Sequence, residues 1–222
     1  MASLDGVPRV CIAGSRGLFL DAAGPRFSEP VQRRVLALAR TVGQIPGVQE
    51  LVPGMNNVLV VYDPRQASPA VLCDQLMTLW EQAAADESPG RDIDIPVIYS
   101  TNASDDLVQI AALAGLAVDE FIRLHSEAAY QVACVGAMPG FPYLSGLDPR
   151  LATPRRAVPR MRLEQGAVII GGAQAGIMPC SAPSGWHVIG RTDVQLFDAQ
   201  QLSPSFLQPG DRIRFSIAGV ES

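Results

Sequence analysis

The chain contains no lysine: all 17 of its basic residues are arginine. That absence removes a Walker lysine, a Schiff-base lysine and a biotin-bearing lysine together. A nucleotide phosphate held here needs arginine, backbone N–H groups, a metal or another polypeptide. Histidine is scarce as well. His125 and His187 stand singly, so no zinc site is expected. The four cysteines, Cys11, Cys73, Cys134 and Cys180, show no ligand spacing, and a chain of 222 residues needs no disulfide staple. They read as free thiols. There is no Gly-x-Ser-x-Gly, and neither Cys134 nor Cys180 has a base beside it in sequence, so covalent catalysis is not expected. No apolar run reaches membrane-spanning length, and no basic segment leads into an apolar one at the start. The expectation is a soluble cytoplasmic protein. A net charge of −5 argues against nucleic acid as a general partner.

What is present is a globular composition, 48% hydrophobic and 18% charged. Residues 7–13 and 17–21 read as short strands around a Gly-Ser turn. Ser28, Glu29 and Pro30 open a helix whose apolar positions Val31, Val35, Leu38 and Val42 keep helical spacing until Gly43. Strands over 48–52 and 58–62 follow. A second helix begins at Ser68-Pro69, and a closing strand runs over 93–99. This order predicts a ferredoxin-like α+β domain over residues 1–96. Two short helices come next, the first capped by Ser104 with Asp105 and Asp106 on its dipole, the second over 118–126. After Ala129 the chain breaks into short strands (131–135, 167–171, 186–191, 194–197 and 212–217) between Gly and Pro turns. That texture predicts a β-barrel domain over residues 97–222 with the two helices at its start.

The stretch from Gly136 to Arg160 carries five prolines and four arginines against one acid, Asp148. Its Phe141, Tyr143, Leu144 and Leu147 are residues that a chain normally buries. Arg155, Arg156, Arg160 and Arg162 fall within eight residues and suit bidentate capture of carboxylate or phosphate. Prolines Pro154 and Pro159 fix the backbone ahead of Arg155 and Arg160, which lowers the entropy lost in aiming them. Residues 171–176 look like a phosphate-cradling loop, but Pro179 and Pro183 forbid the helix such a loop must open. A tight barrel turn is the better reading. His125 lies in line with Phe121 and Ile122 on an apolar helix face, the usual setting of a core histidine.

Residues 135–144 and 146–155 resemble the family comprising the B subunit of bacterial 5-oxoprolinase, also described as kinase A inhibitor-like or allophanate hydrolase subunit 1. The likeness continues through Gly172, Gln174, Gly176, Ile177 and Pro179, then Gly185-Trp186, Ile189-Gly190-Arg191-Thr192 and Pro209-Gly210-Asp211. It implies a ferredoxin-like domain followed by a cyclophilin-like barrel. It also implies a homologous partner, the C subunit, with which the chain uses ATP to activate 5-oxoproline, and a separate A subunit that opens the lactam. Ala137, Ala175 and Met178 stand where the family usually carries larger or hydroxyl-bearing residues. These departures point to a pocket that accepts another lactam, amide or urea-like substrate.

Combined with that resemblance, the Pro-rich stretch reads as the ligand-facing wall of the barrel domain. Phe141 and Tyr143 form its apolar side, and Gln174, Gly176, Trp186 and Arg191 complete the substrate contacts. Arg155 and Arg160 hold an anionic group, and His125 carries a proton. ATP is expected to be shared with, or bound by, the homologous C subunit. No biotin attaches here, and no metal, nucleic acid or membrane is expected. Two other readings belong to the same resemblance. One is an inhibitor that docks a sensor histidine kinase. The other is one half of a carboxyltransferase that acts on a urea-like substrate with a biotin carrier from another protein.

Overall fold

The structure is a computed structural model that describes residues 8–83 and 90–222. The chain divides into two compact units, Met1–Pro89 and Gly90–Ser222. The first unit holds β1 (Arg9–Ala13), β2 (Gly17–Asp21), α1 (Glu29–Val42), β3 (Val48–Pro53), β4 (Asn57–Tyr62) and α2 (Pro69–Gln82). Its four strands form an antiparallel sheet in the order β1-β2-β4-β3. Helix α1 begins where its sequence says: the Ser28 hydroxyl accepts from the Val31 N–H at 3.5 Å, and Pro30 sits in the first turn. Strand β4 alternates along its length, so Val58, Val60 and Tyr62 meet the apolar stripes of both helices, including Val35, Leu38, Leu72 and Leu76.

The second unit starts with β5 (Asp92–Ser100), then α3 (Leu107–Leu113) and α4 (Val118–Glu127). Strands β6 (Tyr130–Val135), β7 (Pro142–Ser145), β8 (Arg160–Leu163), β9 (Ala167–Gly171), β10 (Gln174–Ile177), β11 (Ala182–Ser184), β12 (His187–Arg191) and β13 (Arg212–Glu221) follow. Seven of them close a barrel in the order β10-β7-β6-β13-β5-β12-β9, while β8 and β11 pair as a separate ribbon. With four helices among the described residues, the whole is a mixed α/β protein whose barrel is consistent with a cyclophilin-like fold.

The strand expected to close the first sheet belongs instead to the barrel. β5 runs parallel to β13 in register from Asp92↔Arg212 to Ser100↔Glu221, with one irregularity between Ile217 and Gly219, and antiparallel to β12. The division therefore falls between Pro89 and Gly90 rather than after residue 96. The edge position in the first sheet is taken by β1, which forms a hairpin with β2. A strand of alternating apolar residues carries no mark of which sheet it joins. Residues 194–197 do not form a strand either; Phe197 makes an isolated bridge to Ser205. The short strands β7, β8, β10 and β11 escape a sequence reading because they are three or four residues long, and three of them hold Pro142, Gly176 or Pro183.

One face of every barrel strand enters a shared core, for example Val97, Val132, Leu144, Val168, Ile177, Ile189 and Phe215, joined by Leu107 and Phe121 of the helices. His125 lies in this core with no exposed surface. Its Nδ1 is 2.8 Å from the Tyr99 hydroxyl, and its ring stacks on Phe215 at 4.6 Å. Burial drives its pKa from 6.5 down to about 3, so the ring is neutral at physiological pH. The proton-carrying role expected for His125 is therefore corrected. It is a packed core residue, shut off from any ligand by Tyr99, Tyr130 and Phe215.

Two measurements check this packing. In the unfolded chain His125 binds a proton below pH 6.5, whereas the folded chain resists protonation down to about pH 3. Stability is thus complete above pH 6.5 and falls on acidification through that window, by up to about 1.4 kcal/mol per pH unit from this one group. Unfolding titrations above the carboxylate range should show this slope in the parent and lose it in His125→Phe. An equal slope in both chains would place the titration elsewhere. At the β5–β12 seam, a Cβ on Gly190 would lie 2.5 Å from the Ile98 carbonyl oxygen and 2.9 Å from the Tyr99 Cα. Gly190→Ala should lower stability in chemical denaturation by about 1–3 kcal/mol, the usual cost of overpacking.

Candidate functional site around the Arg155 loop

The outer face of the β9–β10 hairpin carries glycine where a barrel strand would ordinarily carry a side chain. Gly171 pairs with Gln174 across a turn that contains Gly172 at φ 63°. The sequence therefore makes a tight hairpin here, not a phosphate loop. A Cβ at Gly171 would stand 2.5 Å from the Trp186 ring, and one at Gly176 would stand 3.1 Å from Phe141 and 3.3 Å from Trp186. The missing side chains thus make seats for aromatic rings. Phe141, Tyr143 and Trp186 meet edge to face, with centroids 4.9, 5.7 and 6.0 Å apart. They pack with Leu163, Ala167, Ile169, Met178 and Val188 into a second small core. On β9 this core takes Ala167 and Ile169, while the alternate residues Val168 and Ile170 point into the barrel.

Arg155 is exposed and sets its guanidinium carbon 5.5 Å from the Trp186 ring centroid, a cation–π approach. The other arginines of the run are taken by acids of the chain. Arg162 pairs with Glu164 through two contacts of 2.8 and 3.2 Å. Arg156 Nη1 donates to Asp106 Oδ1 at 2.6 Å. Arg160 grips the same carboxylate with both Nη atoms and donates to the Ser104 carbonyl at 2.7 Å. Among the described residues Arg155 alone of the four has no carboxylate partner. Arg160, expected to receive an anion from outside, is corrected to a structural anchor that shares the Asp106 carboxylate with Arg156.

The remaining expected site residues divide. Gly176 and Trp186 join Phe141 and Tyr143, and Gln174 is half-buried at the start of β10. Arg191 is bound by Glu221 in a two-point ion pair at 3.2 and 3.0 Å. It lines a separate cleft of about 290 Å³ with Arg160, Arg162, Asp105 and Glu164. The departures at Ala175 and Met178 are not in a pocket wall. Both are buried, Ala175 in the barrel core and Met178 beneath the aromatic rings, so they alter packing rather than ligand contact. Ala137 is exposed at φ 66°, in the left-handed region.

Asp106 is the member of this cluster that its sequence pattern hides. By sequence it is a helix-dipole residue beside a Ser104 cap. In the structure Asp106 itself occupies the N-cap of α3, and its side chain caps nothing because Arg156, Arg160 and the Val188 N–H have claimed it. Its arginine partners lie 50 and 54 positions away. The one available signal is that no acid lies within the arginine run from Arg155 to Arg162.

The family model for the carboxyltransferase domain, subdomain C and D, matches residues 8–207. The B subunit of 5-oxoprolinase from Escherichia coli O157:H7 is 41% identical over 184 residues, 83% of this chain and 84% of that one. Its counterpart of the same name from Haemophilus influenzae is 41% identical over 197 residues, 89% of this chain and 92% of that one. The crystal structure of TTHA0988 superposes with a TM-score of 0.78 at 35% identity; the match covers 91% of this chain and only 40% of that longer one. The urea amidolyase of K. lactis, 20% identical with a TM-score of 0.79 over 99% of this chain and 15% of its own, shares the fold. With a matching domain model over nearly its whole length and two such relatives, the chain belongs to the family of 5-oxoprolinase B subunits, which are carboxyltransferase-domain proteins.

Proposed function

We propose that this chain is the B subunit of an ATP-dependent 5-oxoprolinase-type amidohydrolase, active on 5-oxoproline or a related lactam or amide together with a homologous C subunit. A lactam resists water because its C–N bond shares the amide resonance. Coupling to ATP makes the carbonyl carbon a better electrophile, and the separate A subunit then opens the ring. The observation that carries the reading is the uncommitted guanidinium of Arg155 held over Trp186, beside the aromatic face of Phe141 and Tyr143. A small ring with one carboxylate matches those two halves: Tyr143, the one ring of the three that is not buried, receives its apolar edge and Arg155 its anion. The same guanidinium suits a phosphoryl group or developing oxyanion equally well. Gln174 is assigned to substrate contact, whereas Gly176, buried beneath Phe141 and Trp186, is corrected from a substrate contact to a seat for those rings.

Without lysine the chain lacks the usual point charge for nucleotide phosphates, so the principal ATP contacts are assigned to the C subunit. The first unit is read as a ferredoxin-like domain in which the edge strand comes from the hairpin partner β1 instead of a strand after α2. Among the described residues no helix is long and apolar enough to cross a membrane. The place of action is read as the cytoplasm.

In the reconstituted complex of all three polypeptides, Arg155→Ala should lower 5-oxoproline-dependent ATP turnover by about 10²-fold, as loss of one anion-stabilising donor does. Co-purification with the C subunit should be unchanged. Full turnover in Arg155→Ala would remove Arg155 from the site. Loss of C-subunit binding with the catalytic rate retained in the residual complex would mark it as an interface residue.

A further inference from the structure

Asp106 is a carboxylate with 1% of its surface exposed. A carboxylate offers about four lone-pair sites, and here all of them are filled. Oδ1 accepts from Arg156 Nη1 at 2.6 Å and from Arg160 Nη2 at 3.0 Å. Oδ2 accepts from Arg160 Nη1 and from the Val188 N–H at 2.8 Å. In return the Asp106 N–H donates to the Val188 carbonyl at 2.9 Å. One side chain therefore ties the start of α3, strand β12 and the segment following Arg155 together.

The loop is fastened twice more. The Arg156 N–H donates to the Gly185 carbonyl at 2.7 Å. His187 Nε2 lies 2.9 Å from the Pro154 carbonyl, which can only accept, so Nε2 carries the ring proton. His187 Nδ1 is left buried without a partner, 3.9 Å from Asp106 Oδ1. With the proton on Nε2, Nδ1 presents a lone pair, and a carboxylate has no hydrogen to give it, so Asp106 is no partner for that orphan. Pro154 and Arg156, the two neighbours of Arg155, are thus pinned on either side, and only the Arg155 side chain is left without a carboxylate partner.

We propose that Asp106 is the positioning residue of the site: by registering residues 154–160 against β12 and α3, it holds the Arg155 guanidinium over Trp186, where an anionic ligand is met. The catalytic consequence rests on the function proposed above; the geometric one does not. Asp106 touches no ligand and acts through the loop.

Trp186 supplies a readout that needs no substrate, because the only other tryptophan, Trp80, belongs to the other unit and gives a constant background. Emission spectra are compared for the parent, Arg155→Ala, Asp106→Asn and the double variant, with circular dichroism as the check on folding. The proposal expects Arg155→Ala to change Trp186 emission in the parent and to change it little once Asp106→Asn has released the loop. Asp106→Glu should restore part of the effect. In the full complex Asp106→Asn should cost turnover roughly 10²-fold, the penalty of a misplaced site group, with KM for ATP unaltered. The same emission change for Arg155→Ala in both backgrounds, with folding intact, overturns the proposal. If Asp106→Asn does not fold, Arg156→Gln removes one donor without stranding the loop, and the same comparison decides. Emission coupling that persists while Arg155→Ala leaves turnover whole supports the positioning role and counts against the proposed function instead.

Discussion

A single buried negative charge organises the face of the barrel on which the site lies. Desolvating an unanswered carboxylate at that depth costs several kcal/mol. Two guanidiniums and a backbone N–H answer Asp106. The arrangement has a direct consequence for the arginine run. Arg156 and Arg160 are spent on the interior, and Arg162 is spent on Glu164. Arg155 is left to face outward over a ring. Four arginines that look equivalent in sequence thus have three different fates, decided largely by an acid that lies elsewhere in the chain.

The aromatic wall depends on a second constraint, the absence of side chains on the outer face of β9 and β10. Gly171 and Gly176 let Trp186 and Phe141 approach the backbone closely, and the three rings then lock one another edge to face. Such seating costs little conformational entropy on binding because the rings are already fixed. Barrel core and ring cluster occupy opposite faces of β9, so the site is supported from beneath by Val168 and Ile170.

Much of the fold was legible. The bounds of β2 and β9 coincide with their sequence patterns, and α1 starts at its Ser28 cap and ends at Gly43. Pairing was not legible. The strand at 92–100 alternates as any half-buried strand does, and only its long parallel register with β13 assigns it to the barrel. Phe141, Tyr143 and Arg155 were legible as a group because rigid, Pro-punctuated backbone concentrates them, whereas Gly176 and Trp186 entered through the family resemblance. The roles of Arg160 and His125 were not, because each depends on a partner distant in sequence. Arg160 meets Asp106 across 54 positions, and His125 meets Tyr99 across 26 and stacks on Phe215 in the last strand. Charge and proton chemistry read from sequence assume an accessible group, and tertiary burial cancels that assumption.

The central claim is that Arg155 is the group that receives the anion. Its most direct test is a crystal structure of the complex between this chain and the homologous C subunit, with 5-oxoproline and a non-hydrolysable ATP analogue. The account predicts a carboxylate or phosphoryl oxygen in hydrogen-bond contact with the Arg155 guanidinium, against the Phe141–Tyr143–Trp186 face. A ligand bound elsewhere, with Arg155 still pointing into solvent, would contradict it.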